Sequence, residues 1–387
     1  MRAFVLLAAI AAPTLAQQSS SYLLGLLSTL NGQNLTGLAS AATAVINGTN
    51  GAAILNQLSQ GEKTVFAPDN NAFARLPQDS ARNASLLAAV LSYHIVDGHY
   101  TPSDIAEAFN HSILRTALTN QPFANLEGNK GQVLVAERIP GDNNEFVLLN
   151  TVNAEVSRTM RFQNLIIHML NEVLLPPGSI TQAAQWLNLT EMTSALQSVG
   201  ALAPLEATRG VTVFVPRGAA FTAALAQLGT QAQNTTLVSA VLANHIINGT
   251  SLYSPAIALH PSNFLSAGGQ PFSFMTNSSG TYVTSGPATA RIIRSDVTVT
   301  NGVIHVISDV LVNSASNPAA AASAAVSQSS VAATATTTPG PAQTNPGSGS
   351  AQRPARNASI RTTDVLPTIS WVLVIGMGTL LGGVLVL

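Results

Sequence analysis

The sequence predicts a fold that mixes helices with β-strands and is built twice along one chain. Three observations predict it. A set of three short blocks occurs twice in the same order. Segments with helix-type apolar spacing lie beside the blocks. The blocks themselves are short β-rich runs, closed by proline or preceded by a turn signal.

Taken in chain order, Met1 and Arg2 open the sequence, Ala3 to Ala12 is apolar, and Thr14-Leu15-Ala16 ends in a small residue. This is the pattern of a secretory signal over 1–16, which would leave Gln17 as the first mature residue. The first repeat, 17–176, holds Thr64-Val65-Phe66-Ala67-Pro68 with Ala72-Phe73, then Tyr93-His94-Ile95-Val96-Asp97-Gly98, then Asn164-Leu165-Ile166-Ile167-His168. The second, 178–313, answers with Thr212-Val213-Phe214-Val215-Pro216 and Ala220-Phe221, then Asn244-His245-Ile246-Ile247-Asn248-Gly249, then Asn301-Gly302-Val303-Ile304-His305. Phe66 with Phe214 and Pro68 with Pro216 mark matched strand ends, and Phe73 and Phe221 are expected core anchors. The first repeat is longer between its His blocks. The surplus is expected around Glu127 to Asn144, where Gly128, Gly131, Pro140-Gly141 and Asn143-Asn144 signal loops.

In the second repeat Ile180 to Leu187 and Glu191 to Val199 have helical spacing, and Asn188 with Glu191 reads as a capping box opening the second of them. Arg291 to Thr300 and Val303 to Val312 read as a hairpin turning on Asn301-Gly302 in type I′ geometry. In the first repeat Leu165 stands in place of that glycine, so a different turn is expected there.

From 314 to 356 the composition shifts to Ala, Ser, Thr, Pro, Gly and Gln. Such a segment buries too little to offset the entropy of ordering, and it reads as a disordered, O-glycosylated stalk. The last segment, 357–387, joins small residues and a short polar spacer to an apolar tail, the pattern of a GPI-anchor signal. The attachment candidate is Asn357, with Ser348, Gly349 and Ser350 as alternatives. A tail-less membrane helix is the competing reading, since Ile369 to Leu387 is long enough to span a bilayer. Sequons stand at Asn34, Asn47, Asn83, Asn110, Asn188, Asn234, Asn248, Asn277 and Asn357. Charged residues are only 9% of the chain, so glycans there would supply the solubility that charge does not.

The three blocks, in order and twice, resemble the fasciclin-type (FAS1) domain family, and the resemblance covers both repeats. It implies the α+β class: two FAS1-type domains, each a wedge of mostly antiparallel β-strands packed with α-helices. It also implies adhesion or matrix contact without catalysis. Tandem copies with a stalk and an anchor signal are similar to surface proteins of fungi and plants, and to the fungal ones above all. The expected protein is a secreted, GPI-anchored adhesion glycoprotein of the cell surface, on the outer leaflet of the plasma membrane or in the wall. It would make multivalent, non-catalytic contacts. Expected partners are wall or matrix glycans, surface proteins or a second copy of itself, and the membrane through its lipid. The alternatives are a surface enzyme acting on wall polysaccharide and a module binding a small apolar ligand. In some animal members a Tyr-His pair at the second block is tied to receptor adhesion. Here that pair is Tyr93-His94. The role requires exposure, whereas Leu91, Ile95 and Val96 around it favour burial.

The remaining chemistry is bounded by what is missing. Sixteen Lys and Arg against seventeen Asp and Glu give a net charge of −1, which excludes a phosphate-neutralising nucleic-acid surface. No cysteine means no disulfide, thiolate zinc site, iron–sulfur centre or cysteine nucleophile. There is no H-E-x-x-H and, in the folded part, no G-x-S-x-G or Walker A loop. No catalytic, metal or cofactor residue is therefore expected. Asp69-Asn70-Asn71 lacks the Gly and Glu of a calcium loop and reads as an Asx-capped turn. His94 matches His245 and His168 matches His305, which predicts buried imidazoles bonded to backbone. His99, His111 and His260 have no counterparts and are expected at the surface.

Overall fold

The computed structural model describes residues 11–48, 51–76, 83–107, 110–139, 145–149, 152–260 and 264–335. In the first repeat the helices are α1 (Ala11–Gly32), α2 (Thr36–Ile46), α3 (Gly51–Ser59), α4 (Asn70–Arg75) and α5 (Ala84–Tyr93). Its strands are β1 (Lys63–Pro68), β2 (Ile95–Asp97), β3 (Ser112–Arg115), β4 (Val133–Arg138), β5 (Phe146–Leu149), β6 (Ala154–Phe162) and β7 (Leu165–Leu170). The described strands form one seven-stranded sheet in the order β2-β1-β7-β6-β5-β4-β3. Only β1 and β7 run parallel. Alternate residues of a strand face opposite sides, and β1 uses both. Phe66 enters a core formed largely by the strands, while Ala67 enters a second core roofed by helices. That roof is Tyr22, Leu26 and Leu30 of α1, Leu38 and Val45 of α2, Ile54 and Leu58 of α3, and Leu87 and Leu91 of α5. A register shift in β6 between Val156 and Arg158 marks a bulge, the device that bends a sheet into a wedge. Helix α1 runs through the expected cleavage point after Ala16, and its buried side chains Tyr22, Leu26 and Leu30 lie beyond it.

The second repeat follows the same plan with α6 (Ile180–Leu187), α7 (Thr190–Ser198), α8 (Leu202–Ala207), α9 (Gly218–Leu228), α10 (Thr235–Ala243) and α11 (Ser254–Leu259). Its strands are β8 (Val211–Pro216), β9 (Ile246–Asn248), β10 (Phe272–Asn277), β11 (Gly280–Ser285), β12 (Ala288–Val299) and β13 (Gly302–Ile307), in the order β10-β11-β12-β13-β8-β9. Again one pair, β8 with β13, is parallel. Among the described residues, the place of β3 is taken in this sheet by a single antiparallel bridge, Leu265 with Pro271, immediately before β10. The surplus of the first repeat falls mainly between this edge element and the next strand, from Arg115 to Val133 against Leu265 to Phe272, and so largely upstream of the loops expected at 127–144.

Three local expectations are corrected. Asn188 does not open α7. It ends α6 in the left-handed conformation at φ 54°, and α7 starts after Leu189 without a side-chain cap. The β12–β13 hairpin turns on Thr300-Asn301, and Gly302 is already the first residue of β13. Neither Asn301 nor Gly302 has the positive φ of a type I′ turn. Gly302 is required by close packing instead, since a Cβ there would lie 1.9 Å from the Val211 carbonyl oxygen. In the first repeat the chain turns on Gln163-Asn164, with Gln163 at φ 46°. Lastly, the expected stalk does not begin at 314. Residues Pro318–Thr334 form a helix, α12, capped by the Asn317 side chain accepting from Ala320 N–H. Helix α12 packs on both repeats. Gly128 and Gly249 make room for it, because a Cβ on Gly128 would meet Ala333 at 2.8 Å and one on Gly249 the Ala325 oxygen at 2.6 Å. The Gln328 amide also donates to the Asn248 carbonyl at 2.8 Å and accepts from Leu265 N–H at 2.9 Å. Composition misjudged this helix because alanine needs little side-chain burial to be helical.

Asn164 and Asn301 do matched work. The Asn301 amide donates to the carbonyls of Leu205 and Thr208 at 2.9 and 2.8 Å. The Asn164 amide donates to those of Leu58 and Gly61 at 2.8 and 2.6 Å. Asn301→Ala leaves a buried carbonyl without its donor and is expected to cost about 1–3 kcal/mol in denaturant unfolding. An unchanged midpoint would show that the turn is held by packing alone.

Candidate functional site at the junction of the repeats

The four matched histidines lie inside the repeats. Nδ1 of His94 donates to the Val90 carbonyl at 2.7 Å, and Nε2 accepts from Leu174 N–H at 3.1 Å. His245 repeats this with Val241 at 2.8 Å and Leu311 N–H at 2.9 Å. Both rings are therefore neutral, with a defined tautomer. Burial drives both pKa values down to about 4, against the opposing pull of the carbonyl bond. His168 and His305 stack on Phe66 and Phe214, each at 5.5 Å between ring centres. Their Nε2 atoms bond the carbonyls of Tyr100 and Leu252 at 2.7 and 2.8 Å. Burial lowers the His168 pKa to about 4 and lowers that of His305 as well. Sequence reasoning passed over Thr64 and Thr212. Each hydroxyl donates to one carbonyl of the following loop and accepts an N–H two residues on, all at 2.8–2.9 Å. Their place at the head of the repeated block was the available signal. Pro68 and Pro216 end their strands, Phe221 is buried, and Phe73 is only partly covered. Asp69 is a helix N-cap, accepting from Ala72 N–H at 2.7 Å.

The Tyr93-His94 pair is corrected as an adhesive motif. Tyr93 is 1% exposed and His94 2%, and the Tyr93 hydroxyl donates to the Val133 carbonyl. Neither ring can meet a partner from outside. At the Tyr93 position the second repeat has Asn244, whose amide ties the carbonyls of Asn313 and Ala315 to the body.

The surface expectation for His111 is also corrected. Its Nδ1 donates to Asp296 Oδ2 across the two repeats at 2.6 Å, and the Asp296 side chain is 0% exposed. Asp296 also accepts from the N–H and hydroxyl of Ser254. Burial opposes both charges. The hydrogen bond and charge of each partner outweigh it, so the His111 pKa stands above and the Asp296 pKa below its ordinary value. Around the pair, Ile113, Val133 and Val135 of the first repeat pack on Tyr253 and Val303 of the second. The Gln132 amide donates to the Val299 carbonyl, Asn125 N–H to that of Thr300, and the Ser251 hydroxyl to buried Glu127. His99 is half-buried on the Asn164 carbonyl, and His260 is exposed.

Beside this seam lies an open groove of about 1210 Å³, with His111, Glu137 and Asp296 among its lining residues. Its walls come from both repeats. Val152 and Leu175 stand exposed on the first, and Trp186 and Ile293 on the second. The Arg294 guanidinium lies 4.6 Å over the Trp186 ring, a cation–π contact.

The sequons fall differently on this body. Asn34, Asn47, Asn188 and Asn277 are exposed, as are Asn83 and Asn234, which cap α5 and α10 through their oxygens. Asn110 and Asn248 are half-covered. Asn357, Ser348, Gly349, Ser350, the rest of the stalk and the apolar tail lie outside the described residues. Among the described residues no group of three His, Cys, Asp or Glu could hold a metal, and no single helix is long and apolar enough to cross a membrane.

The fasciclin domain family matches this chain twice, over residues 25–176 and 187–313. A fasciclin-like arabinogalactan protein of Arthroderma benhamiae is 29% identical over 263 residues, covering 65% of this chain and 59% of that protein. This chain thus spans less than two thirds of that relative's length. A second fasciclin-like arabinogalactan protein, of Phaeosphaeria nodorum, is 25% identical over 64% of this chain and 77% of its own. A solved FAS1 domain pair, from the insect cell adhesion molecule fasciclin I, is 18% identical, covers 72% of this chain and 98% of its own, and has a TM-score of 0.35.

Proposed function

The chain belongs to the fasciclin domain family, and from that premise we propose that it is a cell-surface adhesion glycoprotein. It makes multivalent, non-catalytic contacts to wall, matrix or neighbouring cells. The observation that carries this reading is the seam. Two family domains are fixed to each other by the buried His111–Asp296 bond and by α12, so they present one continuous surface. A rigid pair commits its second contact at little further entropic cost once the first is made. The two fungal relatives are named as arabinogalactan proteins, which fits a glycosylated surface protein. A signal peptide, occupied sequons and a GPI anchor complete the reading. With Tyr93 and His94 buried, the contacts fall on other residues.

The test is adhesion of beads coated with the purified full-length protein to intact cells and isolated wall fractions. Binding above that of beads carrying a glycan-matched unrelated protein is expected. Equal binding by the two would overturn the reading.

A further inference from the structure

We propose that the groove between the repeats is the contact site, and that it takes a segment of an acidic, uronate-bearing polysaccharide. The proposal rests on the adhesion reading and names its site and ligand class. Charge argues first. Of the charged groups lining the groove, Arg75 is paired with Glu172 at 2.9 Å. His111 is shared between Asp296 at 2.6 Å and Glu137 at 3.9 Å. Arg291 and Arg294 have no carboxylate within ion-pair reach among the described residues, and both are exposed. The groove therefore holds two cations waiting for anionic charge. They sit on β12, where register shifts on either side of Arg294 break the regular pairing with β13.

Surface chemistry argues next. Trp186 is 38% exposed, and the Arg294 guanidinium lies over its ring, so the two form one stacked, partly exposed platform. A pyranose would lay its C–H groups along the exposed part of this platform, while its carboxylate reaches the guanidinium N–H groups in a charge-assisted hydrogen bond. Asn153, Ser279 and Thr281 line the same groove with short neutral groups suited to hydroxyls. An acidic peptide would also satisfy the cations, and it is therefore the comparison ligand in the test.

The test uses the full-length protein with its glycans in place. Asn110 and Asn277 line the groove, so the proposal requires these two sequons to be empty, and uronate binding that appears only after N-glycan removal would overturn it. A linear hexamer of galacturonic acid is titrated in, with a glucose hexamer and a hexaglutamate peptide as comparisons. Binding of the uronate is expected to exceed that of both and to weaken as salt rises. Trp186→Ala and Arg294→Gln should each weaken it about tenfold or more with unchanged melting. Should Trp186→Ala not fold, Arg294→Gln decides. Equal uronate binding by the variants, or equal binding of hexaglutamate, would overturn the proposal. Bead adhesion by Trp186→Ala separates the two claims. Adhesion kept by that variant places the contact elsewhere and sinks the groove alone, whereas no adhesion by the unaltered protein sinks the adhesion reading.

Discussion

Between pH 7 and pH 4 the protein should lose on the order of 10 kcal/mol of folding stability from three histidines alone. His94, His168 and His245 titrate near 4 in the folded state because burial opposes their charge. In the unfolded chain they titrate near 6.5. Over that window the unfolded state binds protons that the folded state refuses. Their contribution is whole above about pH 6.5 and falls as pH drops towards 4, by about 3 kcal/mol for each ring. His305 adds in the same direction. His111 works the other way. Its raised pKa stabilises the fold below its unfolded value, and that gain is lost as pH rises through the folded one. Asp296, with its lowered pKa, contributes above the ordinary carboxylate value and is lost only on descending through its own. Urea unfolding from pH 4 to 8 measures the sum. A midpoint that stays flat between pH 7 and pH 4.5 would contradict the buried, neutral assignment of these rings.

His111→Ala is the second large effect, with an expected cost of about 3–5 kcal/mol at neutral pH. The substitution removes the cation and leaves the Asp296 carboxylate buried, held only by the N–H and hydroxyl of Ser254. The loss is mainly that of an uncompensated buried charge, so removing the carboxylate as well should recover much of it. The double variant His111→Ala/Asp296→Ala is therefore expected to be more stable than His111→Ala. Calorimetry should also show the repeats melting less cooperatively in the single variant, because the bond joins them. If His111→Ala melts like the unaltered protein, the bond does not hold the seam.

Much of the fold was legible because its signals are local or repeated. The β-rich runs around Phe66 and Phe214, their closing prolines and the matched histidines sit at fixed short spacings, and tandem copying printed them twice. Asn188 and Gly302 were misread because one residue type serves two geometries. An asparagine before a helix can equally end the previous one in the left-handed region, and a glycine after asparagine can serve close packing instead of a turn. Helix α12 was missed because its partners are glycines far away in sequence.

The sequence by itself determined the class, the duplication and the interior of each repeat, since apolar period, turn chemistry and repeated polar anchors act over a few residues. Only the tertiary structure decided the seam and its groove. His111 and Asp296 are 185 residues apart and have no repeated counterpart as a pair. Trp186 meets Arg294 only because α6 packs beside β12. Whether a histidine is a surface group or half of a buried ion pair depends on the dielectric and the partner around it. Folding brings those from distant parts of the chain, and no local pattern records them.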